Sequence, residues 1–193
     1  MAEKTVGSAD VLAFWFGPDP VLDARRALWF GKDPATDALI RERFLATHEA
    51  AARGDLDVWL DTPAGALALV VVLDQFPRNM YRDTAAAFAS DQRALACARR
   101  VLERGWDVAM RPVERLFLYL PFEHSEVLAD QRRSVRLFAA LDEAPGMADA
   151  FDYALAHYCV IRRFGRFPHR NAILGRASTA EETAFLAQPG SRF

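Results

Sequence analysis

The side chains best suited to chemistry fall in three short segments, where apolar stretches of the sequence give way to polar ones. The segments are 74–82 (DQFPRNMYR), 120–126 (LPFEHSE) and 162–171 (RRFGRFPHRN). Each contains a proline, which is expected to halt a helix because proline has no N–H to donate. Lone buried charges are costly, so mutual pairing is the most favourable arrangement. We therefore predict that the three segments meet in space.

The polar residues of these segments favour a site for a small anion. Arginine presents a planar fork of donors that suits a carboxylate or a phosphate, and asparagine can orient such a ligand. If three arginines face only Asp74 and Glu123, one positive charge remains for a ligand. The candidate ligand-binding residues are Asp74, Arg78, Asn79, Glu123, Arg166, Arg170 and Asn171.

Histidines in the second and third segments are candidates for an acid or base. His124 and His169 are the predicted catalytic residues, because imidazole titrates near neutral pH. The alternative for His124 is a loop histidine held by the neighbouring Glu123. His48 and His157 fall on apolar helix faces and are predicted to be core residues.

Several well-known motifs are missing from the sequence. It has no H-E-x-x-H, no pair of cysteines spaced for zinc, no G-x-S-x-G and no phosphate-binding glycine loop. We therefore predict neither a metal nor a cofactor.

Asp74 is the most informative of the candidates. It follows the apolar stretch GALALVVVL, and at the end of a helix the macrodipole disfavours a negative charge. Burial adds to that cost unless a cation pairs with the carboxylate. We predict an ion pair with Arg78 or with an arginine of 162–170. The same pairing also fits a purely structural alternative, in which the segments form a buried ion-pair cluster.

The rest of the chain has the pattern of helices joined by short loops. Asp33-Pro34 and Thr62-Pro63 have the form of an N-cap followed by proline at the first helical position. The stretch before Asp74 is apolar on all sides and predicts a buried central helix. We expect Pro121 to interrupt one helix and Gly165 to end another, 148–164. No alternating strands occur, so residues 1–193 are predicted to form a single all-α domain.

Composition limits the function classes. The chain has 193 residues, 52% of them hydrophobic, and a formal net charge of −2, which argues against nucleic-acid binding. The first ten residues lack an apolar signal core, and the longest apolar run, 64–73, is too short to cross a bilayer. Two cysteines set far apart suggest a reducing compartment. We predict a cytoplasmic protein without membrane contact.

The sequence resembles a bacterial family called domain of unknown function 924. The matching stretches occur in order along nearly the whole chain and are VLAFWFG, WFGKDP, DQFPRNMYR, FLYLPFEHSE, ADQRRSV, RFGRFPHRNAILGR and STAEETAFLAQPGSRF. The resemblance implies a cytoplasmic all-α protein with helix hairpins stacked as in tetratricopeptide-repeat folds. The resemblance implies no activity. The spacing of residues in the sequence shows no repeat.

Three functions stay open at this point. The first is a small-molecule site, with or without enzymatic activity, in which the arginines hold an anionic ligand. The second is an interaction module whose arginines hold an acidic peptide or a C-terminal carboxylate. The third is the structural ion-pair cluster. The sequence gives no oligomeric state.

Overall fold

The computed structural model describes residues 5–17, 22–142, 144, 147 and 149–191, without the side chains of 22–24. Residues 1–4 and Ala148, where the last long helix was expected to begin, lie outside these ranges. Within them the chain forms nine helices linked by turns and short 3₁₀ segments, with no strand, so the all-α prediction is confirmed. None of the described helices is both long enough and apolar enough to cross a bilayer.

Three helix ends follow the predicted start and stop signals. Asp33 accepts hydrogen bonds from the backbone N–H groups of the first turn that follows it, and Thr62 does the same one helix later. Gly165 adopts a left-handed conformation, with φ of 70°, and ends a helix where predicted. The helices are α1 Ser8–Phe16, α2 Leu22–Phe30, α3 Pro34–Arg53, α4 63–80, α5 Asp91–Glu103, α6 Pro112–Glu123, α7 Leu128–Ala139, α8 Ala150–Phe164 and α9 Ala180–Leu186.

Helix α4 lies at the centre of the molecule. Every residue from 65 to 77 is buried, as the apolar sequence predicted. Helices α1, α3, α5 and α6 pack around it. Trp15 joins this centre through edge-on contacts with Phe76 and Phe117, at ring-centroid distances of 5.6 and 5.4 Å. The burial of these large apolar side chains stabilises the position of α4, and therefore of the polar residues it carries.

Helix α4 does not end before Pro77, contrary to expectation. It consists of α-helical Pro63–Val70, a π-helical turn Val71–Gln75 and α-helical Phe76–Met80. Pro77 cannot donate to the carbonyl oxygen of Leu73, but the hydroxyl of Ser90 does so instead, at 2.6 Å. The wider turn and this substitute donor let the helix continue. Asp74 consequently lies inside a helix rather than at its end.

We expect Ser90→Ala to destabilise the protein, because the buried carbonyl of Leu73 would lose the donor that replaces Pro77. The free energy of unfolding should fall by roughly 1 to 3 kcal/mol, measured by urea denaturation. Ser134→Ala is a matched control, since the Ser134 hydroxyl is buried but has no hydrogen-bond partner among the described residues. An equal loss in both variants would show that the Ser90 hydrogen bond contributes nothing to the π turn.

Helix α6 also continues past its proline. The prediction that Pro121 interrupts it is wrong, because the helix runs to Glu123 and the amide of His124 still donates to the carbonyl of Leu120 at 2.9 Å. Only the hydrogen bond that residue 121 would donate is lost, and burial of the surrounding residues 116–123 compensates for it. This continuation places Glu123 and His124 at the C-terminal end of a rigid helix.

Candidate functional site

A cavity of about 610 Å³ opens where the three polar segments meet. Its walls come from α2, α4, α6, α7 and α8 and from the 3₁₀ turns Ala85–Phe88 and Pro168–Arg170. The prediction that the segments converge is therefore confirmed, although they are distant in sequence. The polar part of the wall includes Gln75, Arg78, Glu123, His124, His157 and Arg170.

A buried aspartate and a histidine form a dyad at this wall. Asp74 is fully buried, and its Oδ1 lies 2.9 Å from Nδ1 of His124. The side-chain amide of Gln75 donates to the other carboxylate oxygen at 2.5 Å. Because an ionised carboxylate can only accept, Nδ1 of His124 carries the proton and donates it. The other imidazole nitrogen, Nε2, is left as the acceptor, and Asp74 holds the ring in that tautomer.

The pairing of Asp74 with an arginine is also confirmed. Nη2 of Arg78 lies 3.5 Å from Oδ1 of Asp74, and Nη1 of Arg78 donates to the Asp74 backbone carbonyl one turn earlier in the helix. Burial by itself raises the pKa of Asp74, but the charges of Arg78 and His124 and the hydrogen bonds outweigh it and lower the pKa to about 2. Asp74 is therefore ionised at neutral pH.

A second carboxylate, Asp91, is partly buried and lies between the two arginines of the cavity. Its two oxygens lie 3.1 Å from Nη2 of Arg78 and 3.3 Å from Nη1 of Arg170. The guanidinium of Arg170 also contacts the faces of Phe88 and Phe167, at 4.5 and 4.6 Å from the ring centroids. Burial lowers the pKa of Arg170 to about 10, so it stays positively charged at neutral pH.

Asp91 changes the predicted charge balance. Two arginines, Arg78 and Arg170, face two carboxylates, Asp74 and Asp91, so the base of the cavity has no excess positive charge of the kind predicted. Burial raises the pKa of Asp91, and the positive charge of Arg78 opposes that rise. The rim carries further cationic residues, among them Lys32, which is exposed.

Glu123 and His157 form a neutral pair beside the dyad. Oε1 of Glu123 lies 3.2 Å from Nδ1 of His157, which also contacts the carbonyl oxygen of Tyr153 at 2.8 Å. Burial, together with the negative charge of Asp74, raises the pKa of Glu123 to about 8. Burial lowers the pKa of His157 to about 3. At neutral pH the carboxyl group therefore keeps its proton while the imidazole is uncharged.

Sequence and structure comparisons place the chain among known proteins. Residues 11–190 match the family described as bacterial protein of unknown function, DUF924. The chain belongs to this family. A solved structure of a protein of unknown function from Agrobacterium tumefaciens is 42% identical, matches 93% of this chain and 96% of its own, and superposes with a TM-score of 0.83. No curated protein matches the chain.

Two of the predicted site residues of this DUF924 protein lie outside the cavity. Arg166 makes two hydrogen bonds to the carboxylate of Glu182, at 2.6 and 2.8 Å, beside α9. Asn171 donates to Ser178 and to the same carboxylate. The 3₁₀ turn Pro168–Arg170 follows Arg166, and Arg166 and Arg170 face different neighbours, Glu182 and Asp91. Arg166 and Asn171 therefore stabilise the C-terminal region and do not face a ligand in the cavity.

Asp74 is fully buried behind the cavity wall, and the remaining predicted residues line the cavity of the DUF924 protein. Asn79 does so while its amide donates to Asp37 at 2.8 Å. His169 also lines it, with its ring 5.5 Å from that of Phe167. Glu126 accepts from the backbone N–H of Phe167 at 2.7 Å and pairs with Arg176, so it anchors the turn that carries His169.

Three residues of the site were not predicted from the sequence: Gln75, Asp91 and His157. Asp91 is the first residue of the amphipathic helix α5, and an acidic residue is common in the first turn of any helix, so its sequence position did not indicate a site. His157 is buried, as predicted for a core residue, but it also lines the cavity. Gln75 directly follows Asp74, and this adjacency was the one available signal. Among the described residues, no three His, Cys, Asp or Glu side chains come together as metal ligands would.

Proposed function

We propose that the cavity of this DUF924 protein binds a small anionic molecule, a phosphate or a carboxylate compound. The observation that supports this most strongly is that one cavity is lined by two arginines and by His124, which Asp74 holds from behind the wall. The side chain of Arg170 is only 8% exposed, and its Nε has no hydrogen-bond partner among the described residues. Buried donors are rarely left unsatisfied, so Arg170 has hydrogen-bonding capacity that the described residues do not use.

His124 is the proposed acid or base of this site. Burial and the charge of Arg78 lower the pKa of His124, while Asp74 opposes that shift. The imidazole is therefore neutral at pH 7, and its Nε2 can accept a proton from the ligand or from a water molecule beside it. A positioned general base contributes roughly 10²- to 10⁴-fold to a rate. His169, on the same cavity, is the second candidate for this role.

Anion binding is tested by thermal unfolding in the presence of phosphate and of simple carboxylates. At a ligand concentration about 100 times the dissociation constant, the melting temperature of the unmodified protein should rise by roughly 5 to 10 °C. Arg170→Ala should abolish this rise relative to its own melting temperature, because it removes the buried donor. Arg100→Ala is the control, since Arg100 is exposed on α5 away from the cavity, and it should keep the full rise.

The two alternative functions give different results in the same assay. If no small anion raises the melting temperature but an acidic peptide does, the protein is an interaction module. That alternative also depends on tetratricopeptide-like stacking of the helix hairpins, which stays a prediction. If neither class of ligand has an effect, Asp74, Arg78, Asp91 and Arg170 form a structural ion-pair cluster.

A further inference from the structure

The cavity has an apolar end and a polar end, and helix α6 connects them. Leu116, Leu120, Glu123 and His124 all line the cavity. Their spacing of four, seven and eight residues places them on one face of the helix. With a rise of about 1.5 Å per residue, Leu116 and His124 are roughly 12 Å apart along the helix axis. The wall therefore changes from hydrocarbon to ionisable groups over this length.

Helix α8 repeats the same order of residues. Ala150, Tyr153 and His157 line the cavity at spacings of three and four, and Met147 lines it just before the helix begins. The polar ends of α6 and α8 meet, because the rings of His124 and His157 are 6.4 Å apart. In both helices the apolar residues come first and the histidine comes last.

The apolar end is closed by large side chains that have no free polar atoms. Trp29 and Phe138 both line the cavity and are 6% and 1% exposed. The indole N–H of Trp29 donates to the backbone carbonyl of Trp15 at 2.9 Å, so its polar group is already used. A hydrocarbon group at this end would contact the apolar surfaces of Trp29 and Phe138, which favours its transfer from water, although Arg26 and Asp149, which pair with each other at 3.5 Å, also line the cavity.

We infer that the ligand of this cavity is an amphipathic carboxylate, with its carboxylate at Arg78 and Arg170 and its hydrocarbon part along Leu116 and Leu120. This inference rests on the proposed function and names the class of ligand. Because Asp74 and Asp91 already balance the two arginines, a ligand with one negative charge is repelled less at the polar end than a ligand with two. Inorganic phosphate would leave the apolar end, roughly 12 Å away along α6, without a ligand group.

The test is a series of straight-chain carboxylates, from acetate through butyrate, hexanoate and octanoate to decanoate, with binding measured by calorimetry. Each added methylene should raise the affinity by roughly three- to fourfold until the apolar end is filled. Octanol, which lacks the carboxylate, should bind at least about tenfold more weakly than octanoate. Inorganic phosphate serves as a ligand that occupies the polar end alone.

Leu120→Gln locates the hydrocarbon part of the ligand. Leu120 lies between the two ends, and a polar side chain there should weaken octanoate binding by about tenfold or more. Acetate and phosphate binding should be unchanged, which also shows that the variant is folded. If octanoate binding is equally unchanged in this variant, the hydrocarbon part does not lie along α6 and the inference is wrong.

The other outcomes separate the inference from the proposed function. If phosphate and acetate bind but affinity stays flat from acetate to decanoate, the inference is wrong and the proposed anion site remains. If octanol binds as tightly as octanoate, the arginines do not recognise the ligand and both are wrong. If no member of the series and no phosphate binds, both are wrong as well.

Discussion

Asp74→Asn should lower the free energy of unfolding by roughly 3 to 5 kcal/mol at pH 7. The carboxylate is fully buried and faces both Arg78 and His124, so the amide would remove one of the two carboxylates that balance Arg78. The lowered pKa of Asp74, which includes the attraction of Arg78, accounts for roughly 2 kcal/mol of the loss. The rest comes from the NH₂ group of asparagine, which must face one of the two donors, Gln75 or His124. Urea denaturation of the variant and of the unmodified protein measures the difference.

The pH dependence of this effect has a definite sign. Because the pKa of Asp74 is lower in the folded chain than its ordinary value of 3.8, the stabilisation is fully present above pH 3.8 and is lost as the pH falls through about 2. Asp55→Asn is the control, because Asp55 pairs with Arg53 on the surface, where such pairs contribute less than about 1 kcal/mol. A similar small loss for both variants at pH 7 would mean that Asp74 is not a buried ion-pair partner.

Glu123→Gln should stabilise the protein in alkaline solution. The folded chain holds a proton on Glu123 up to about pH 8, whereas the unfolded chain releases it near 4.5. Folding therefore takes up a proton between these values, and stability falls as the pH rises from about 4.5 to 8. Glutamine stays neutral and avoids this cost, so above pH 8 the variant should be more stable by roughly 3 to 5 kcal/mol.

Urea denaturation across the pH range tests this second prediction. The stability curves of the variant and of the unmodified protein should converge near pH 4.5 and separate as the pH rises. Glu103→Gln, on the exposed side of α5, is the control and should run parallel to the unmodified protein. Parallel curves for Glu123→Gln would show that Glu123 is ionised throughout this range and that its neutral pair with His157 is not formed.

Several parts of the site could be predicted from the sequence, because an unpaired charge is unfavourable wherever it is buried in a protein. The stretch before Asp74 is apolar on all sides, so a charge there requires a buried partner, and Arg78 supplies it one turn later. The same reasoning placed His124 and Arg170 near Asp74. The prediction for Arg166 was wrong, because a charged residue can pair with any oppositely charged side chain close to it. In the folded chain that side chain is Glu182.

The amino-acid sequence by itself determined the helical class, the helix starts at Asp33 and Thr62, the burial of α4 and the need for charge pairing at Asp74. These depend on interactions between residues close in sequence, or on hydrophobic patterns that any fold must satisfy. Only the tertiary structure decided that Asp91 joins the two arginines. It also decided that Ser90 replaces the donor missing at Pro77, and that burial keeps Glu123 protonated. Each of these depends on which distant segments pack together, and the local pattern of residues does not predict that packing.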